Sequence, residues 1–233
     1  MREMITEDIK RINELISLTE EDNIGNYIDS TYLKTSDQAG ISDDETTRVI
    51  VKTIQDAMEH KMKLVMIRPE FVSLADQMIK EYDSDLLVGT VIGFPGDLDT
   101  VMKEVSEGTA IGIEDGLVVK WIIESAALNN QEITELTRLI SKIVIETVGE
   151  QKARNVFVKT STGFYKPEDG STGGATIDAV SLMSQNAGPL KVKASGGIYS
   201  REDLEKMVDA GASRIGTSAG LEIIRGEKAN TDY

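Results

Sequence analysis

The sequence predicts an α/β fold built on one parallel sheet, and three observations carry that prediction. Short, β-rich apolar runs alternate with longer helical patterns along the chain, the pattern of strands joined by crossover helices. Most runs are apolar on consecutive positions, as parallel strands buried on both faces require. The length, 233 residues, is close to the ~250 typical of one (β/α)-barrel domain. The sheet can be closed as a barrel or open and doubly wound. No Pro/Gly/Ser linker divides the chain, so one domain spanning 1–233 is expected.

The elements follow in order. Ile5, Ile9, Ile12 and Ile16 share a helical face, which predicts an amphipathic helix over about 1–20, ahead of the first strand. Seven strands are predicted at 27–31, 63–67, 86–94, 117–124, 155–160, 190–194 and 213–217. Ser42-Asp43-Asp44-Glu45 reads as a capping box opening a helix that runs through Met58. Pro69 suits a first helical position. Asn129 or Asn130 caps a long helix carrying Ile133, Leu136, Ile140, Ile143 and Val144 at helical spacing. Ser200 opens a further helix, closed by Gly211, and the final helix occupies 219–224.

Composition excludes several function classes. There are no cysteines and one histidine, which rules out disulfides, thiolate metal sites, cysteine nucleophiles, histidine triads and multi-histidine metal centres. The histidine, His60, falls near a predicted helix end, where a surface position is expected. A formal net charge of −15 argues against binding nucleic acid or anionic membrane. No stretch approaches the ~20 apolar residues of a membrane helix. The charged N-terminus lacks the apolar block of a signal peptide, so a cytoplasmic location is expected.

Three segments share one grammar, an apolar strand ending in polar and small residues: NVFVKTSTGF (155–164), LKVKASGGIYS (190–200) and SRIGTSAG (213–220). In parallel βα folds ligands bind at the carboxyl ends of strands. Lys159 closes the first of these runs. A free lysine amine has a pKa near ~10.4; desolvation or a nearby cation favours the neutral form, which attacks carbonyls. Lys193 lies on the next strand, about one βαβ repeat (~30 residues) later, and can supply that cation. The alternative is a pair of solvent-exposed strand-end lysines. Gly196-Gly197 leads toward the helix at Ser200, and Gly216-Thr217-Ser218 precedes the final helix. Backbone N–H groups in such loops can hold phosphate without net positive charge; ordinary tight turns are the other reading. Met66, on the second strand, reads as a core filler.

At these segments the sequence resembles the deoxyribose-phosphate aldolase family. FVKTSTGF, GGATIDAVSLM, VKASGGI and DAGASRIGTSAG match its C-terminal half from about Asn155 to Gly220. IDSTYLK (28–34), VGTVIGFPGD (88–97) and VKWIIESA (119–126) extend the likeness over most of the chain. The resemblance implies an eight-stranded TIM-type (β/α) barrel and no metal or organic cofactor. It implies reversible cleavage of 2-deoxyribose 5-phosphate, a small phosphorylated sugar, to glyceraldehyde 3-phosphate and acetaldehyde. It places Lys159 at the Schiff-base position and Lys193 as the second lysine, which perturbs it and assists proton transfer. Thr162, Gly163, Gly196, Gly197, Gly216 and Ser218 fall on substrate- and phosphate-binding loops. Asp29 matches an acidic residue on the first strand, with a supporting hydrogen-bonding role. A homodimer is the default assembly.

One departure stands out. The family carries its acid/base aspartate in a strand of the type GADEIDMV, followed by a helix and then the strand matching VKWIIES. Here GTAIGIEDGLVVKWIIES (108–125) passes from one helix almost directly to that later strand. A βα unit of ~30 residues is missing, so seven strands are counted rather than eight, and Leu117 takes the aspartate position in an ungapped alignment. Three explanations stand: the unit is lost with reduced or absent activity, Glu114 or Asp115 has taken the role, or a segment near 110–118 is absent from this chain. Three functions accordingly remain open: the aldolase, an isomerase on a similar phosphate-binding scaffold, and a non-catalytic relic that keeps the phosphate loops. The paired lysines favour the first over the second, because an isomerase wants a carboxylate or histidine base. The missing unit favours the third.

Overall fold

The computed structural model describes residues 24–91, 98–168, 170 and 173–229. The predicted N-terminal helix lies outside them. Described elements run β1 (Ile28–Tyr32), α1 (Ser36–Ala39), α2 (Asp43–Glu59), β2 (Leu64–Ile67), α3 (Val72–Glu81), β3 (Leu87–Gly89), α4 (Leu98–Glu114) and β4 (Val119–Ile122). They continue α5 (Asn130–Ala153), β5 (Val156–Lys159), α6 (Ile177–Asn186), β6 (Lys191–Ser195), α7 (Arg201–Asp209), β7 (Arg214–Thr217) and α8 (Gly220–Ile224). This is the α/β alternation that the sequence predicts, with the seven strands it counts. The chain divides into two compact units, residues 1–91 with 218–227 and residues 92–217 with 228–233.

In the first unit three parallel strands run in the order β3-β2-β1. All four residues of the central strand, Leu64-Val65-Met66-Ile67, are buried, which is why this run is apolar without alternation. Met66 packs with Leu33 and Leu64, the core-filling role expected of it. The Ser42 hydroxyl accepts the Glu45 N–H and the Glu45 carboxylate accepts the Ser42 N–H at 3.1 Å, so the capping box starts α2 where the sequence places it. The helix ends at His60, whose Nδ1 lies 3.0 Å from the Asp56 carbonyl oxygen. Pro69 begins a 3-10 turn that leads into α3.

In the second unit four parallel strands run in the order β7-β6-β5-β4. The Asn129 side chain accepts from the Gln131 and Glu132 N–H groups, so Asn129 rather than Asn130 caps α5. Gly149, at φ 80 and ψ 158, breaks that helix before its end. On α4, Gly108 and Gly112 sit one turn apart and face β4. A Cβ at Gly108 would come within 2.9 Å of the Trp121 ring, and one at Gly112 within 2.5 Å of Val119 Cγ2. The helix can lie this close only because both positions lack side chains. Trp121 Nε1 donates to the buried Thr109 hydroxyl at 3.0 Å, so the indole is both packed and hydrogen-bonded.

Strand ends fall short of the predicted bounds most clearly at β3 and β4. The 86–94 run yields a strand only at Leu87–Gly89, and its residues 92–94 lie outside the described residues. The 117–124 run yields Val119–Ile122; α4 extends to Glu114 and Gly116 turns the chain at φ 73, leaving Leu117 and Val118 exposed in the connection. Among the described residues of its own unit, β4 pairs with β5 alone, and in the other unit β3 pairs with β2 alone. Both are edges, the expected consequence of a missing strand.

Candidate active site

Parallel pairing of β5 with β6 sets Lys159 directly opposite Lys193. Neither is a surface lysine: Lys159 is 4% exposed and Lys193 is 0% exposed. That disposes of the alternative of two solvent-exposed strand-end lysines, because lysine is almost never fully buried without a task or a partner. Lys193 lies at the middle of β6 rather than at its end. Alternation along the strands puts Phe157 on the same face as Lys159. Over the Phe157 ring lie the Lys191 ammonium, 5.8 Å from the centroid, and the Arg214 guanidinium, 5.7 Å away, both within cation–π range.

Gly216 belongs to strand β7, within the strand predicted at 213–217 and ahead of the loop that its implied phosphate-binding role names. It stands opposite Ser195 in the β6–β7 register. A Cβ there would fall 2.3 Å from Ser195 Oγ, 2.7 Å from Lys193 Cε and 3.2 Å from Lys193 Nζ. The missing side chain is the space that the Lys193 amine occupies. Thr160 ties β5 to β6 beside the lysines. Its hydroxyl accepts the Ser195 N–H at 3.0 Å and donates to the Ser195 carbonyl at 3.2 Å.

The loops after β5 and β6 meet at glycines. Gly196 and Gly197 have φ of 83 and 76, and Gly163 has φ 91, all in the left-handed region that side chains avoid. A Cβ on Gly174 would lie 2.4 Å from the Gly196 carbonyl carbon. The Ala175 N–H completes the contact, donating to the carbonyls of Ser195 at 3.0 Å and Gly196 at 3.1 Å. Beyond these loops α6 starts at a Thr176 cap and α7 at a Ser200 cap, the loop-to-helix arrangement expected around Gly196-Gly197.

Thr162 is engaged by a residue that sequence reasoning passed over. Glu124, just beyond β4, accepts the Thr162 N–H at 3.1 Å and the Thr162 hydroxyl. The only sequence signal was an acidic residue ending an apolar run. Glu114 and Asp115, the carboxylates considered as replacements for the missing aspartate, are exposed and precede β4. They sit at the amino end of that strand, opposite to the end that carries Glu124 and Thr162.

Asp29 and Ser218 belong to the other unit. Asp29 is fully buried on β1, opposite Leu64. Ser218 is exposed, just ahead of α8. Among the described residues no group of three acidic or histidine side chains could hold a metal ion, and no helix is long and apolar enough to cross a membrane.

No family model matches the chain. It is 38% identical to the deoxyribose-phosphate aldolase of Staphylococcus carnosus over 89% of this chain and 98% of that one. It is 37% identical to the deoxyribose-phosphate aldolase of Bacillus subtilis over 89% of this chain and 97% of that one. Among solved structures, a tetrameric deoxyribose phosphate aldolase from Aeropyrum pernix has the same fold, with a TM-score of 0.69 at 23% identity, covering 89% of this chain and 92% of that one. The alignment with the Staphylococcus carnosus protein runs over 234 positions while occupying 89% of the 233 residues here. Part of that relative therefore has no counterpart in this chain, as a lost βα unit of ~30 residues requires.

Proposed function

The chain belongs to the deoxyribose-phosphate aldolase family, and we propose that it cleaves 2-deoxyribose 5-phosphate reversibly to glyceraldehyde 3-phosphate and acetaldehyde through a Schiff base on Lys159. The observation that carries this reading is the buried pair of lysines facing each other across β5 and β6. Attack on an aldehyde needs a lysine amine held away from bulk water, and Lys159 is proposed as that amine, with Lys193 on the adjacent strand as its neighbour.

In the proposed reaction the Lys159 amine adds to C1 of the open-chain sugar and water leaves, forming an iminium. The C3 hydroxyl gives up its proton as the C2–C3 bond breaks. The bonding electrons move to the iminium nitrogen, leaving an enamine on Lys159 and releasing glyceraldehyde 3-phosphate. Protonation at C2 and hydrolysis then free acetaldehyde and restore the amine. Lys193 is the residue proposed to carry protons in these steps. The Gly196-Gly197 loop and the start of α7 are proposed to receive the phosphate through backbone N–H groups. The absent βα unit favours one other reading, a phosphate-binding protein of impaired chemistry.

Borohydride trapping tests the choice. Incubation with 2-deoxyribose 5-phosphate followed by reduction leaves a covalent adduct located at Lys159 by peptide mass. The K159A variant, folded by circular dichroism, gives none and does not turn over. An adduct elsewhere, or normal turnover in K159A, overturns the assignment of the nucleophile. Folded wild-type protein that forms no adduct supports the impaired reading.

A further inference from the structure

We infer that Glu124 is a positioning residue, which holds the loop after β5 in the shape that admits the phosphorylated substrate; the inference rests on reading Lys159 as the Schiff-base lysine. Glu124 has φ 51 and ψ 59, a left-handed conformation that glutamate seldom adopts, and such outliers gather where a site is held in a required shape. The backbone on either side is fixed to β5. The Ile123 N–H donates to the Lys159 carbonyl at 3.0 Å, and the Ser125 N–H donates to the Thr160 carbonyl at 2.7 Å. The Glu124 Cα is therefore set by the strand that carries Lys159.

From that fixed point the carboxylate reaches the loop. Its oxygens accept the Thr162 N–H at 3.3 and 3.1 Å, and one also accepts the Thr162 hydroxyl. The Thr162 oxygen in turn accepts the Phe164 N–H at 3.1 Å. Between them Gly163 turns at φ 91. The 162–164 turn is thus wound around one hydroxyl and clamped from the neighbouring strand, so the loop is ordered before any ligand arrives, and ordering it is no longer a cost of binding. Thr162 acts here by shaping the loop, its hydroxyl engaged on both sides. The same donors satisfy the Glu124 carboxylate.

Two variants separate this role from a merely structural one. In E124G the backbone angle suits glycine, which offsets part of the lost hydrogen bonds, so the melting temperature should fall by a few degrees at most while the carboxylate is gone. KM for 2-deoxyribose 5-phosphate should then rise roughly ten-fold or more, the scale set by hydrogen bonds to a charged group. Borohydride trapping of acetaldehyde, which has no phosphate, on Lys159 should be unchanged. E124Q keeps an acceptor oxygen and should recover KM to within a few-fold of the wild type. A wild-type KM in E124G overturns the inference, and so does parallel loss of acetaldehyde trapping. If the wild type forms no adduct with either aldehyde, the Lys159 reading fails and this role falls with it.

Discussion

Gly216→Ala is the substitution whose effect the structure specifies most closely. The added methyl group would sit 2.7 Å from Lys193 Cε and 2.3 Å from Ser195 Oγ. Non-bonded carbon atoms settle at about 3.5–4.0 Å, so Lys193 and Ser195 must retreat by roughly 1 Å. Lys193 has no exposed surface to retreat into. Overpacking of this kind costs about 1–3 kcal/mol, which lowers the melting temperature by roughly 2–12 °C for a chain of this size. A displacement of about 1 Å in a reacting group can cost ~100-fold in rate. The two candidate roles of Gly216 then separate kinetically. If it makes room for the Lys193 amine, kcat falls by one to two orders of magnitude and KM changes little. If it serves only to bring a backbone N–H to the phosphate, KM rises and kcat is spared. Steady-state kinetics beside a thermal melt decide between them. A kcat within two-fold of the wild type, with an unshifted melt, would refute the packing argument altogether.

Two stability predictions follow from the same second unit. Thr109→Val keeps the volume of a buried residue but leaves the Trp121 indole N–H without its acceptor. A loss of about 1–3 kcal/mol is expected in urea unfolding, and an unchanged midpoint would mean that water serves the indole as well. Gly196→Ala and Gly197→Ala both force a side chain into positive φ, worth about 1–2 kcal/mol. Only at Gly196 does the new Cβ also meet backbone, at 2.9 Å from Gly174 Cα, so G196A should be clearly the less stable of the two. Equal losses would disprove a tight approach between the two loops.

What the sequence reveals depends on how local the determining interaction is. The Ser42 and Asn129 caps were legible because donor and acceptor lie within three residues of each other. The buried strands were legible because burial on both faces leaves no polar position. Lys159 and Lys193 stood out for the converse reason, as charges set in apolar runs. Strand ends were less legible. Leu117 and Val118 look like a continuation of β4, yet lie exposed in its approach, because apolar character does not report depth where no neighbouring strand covers the chain. Gly216 lies in the strand predicted at 213–217, yet its role was read as phosphate binding, since a small residue at a strand end looks the same whether it accommodates a ligand or a neighbour's side chain. The Glu124–Thr162 contact had no local signature at all. It joins two strand ends through a left-handed glutamate, and only the fold brings them together.

The proton traffic of the proposed reaction narrows on similar grounds. Cleavage needs a group to take the C3 hydroxyl proton and one to protonate C2. Glu114 and Asp115 cannot substitute while they stand exposed at the amino end of β4, since that strand's length separates them from the end bearing the loops. Glu124 stands at the right end, but Thr162 already donates to its carboxylate through both N–H and hydroxyl. Among the described residues of this unit the proposed proton carrier is Lys193, opposite the proposed nucleophile and wholly covered. Two buried lysines paired across adjacent strands are the arrangement the proposed chemistry would draw on, a nucleophile on one strand and a proton carrier on the next.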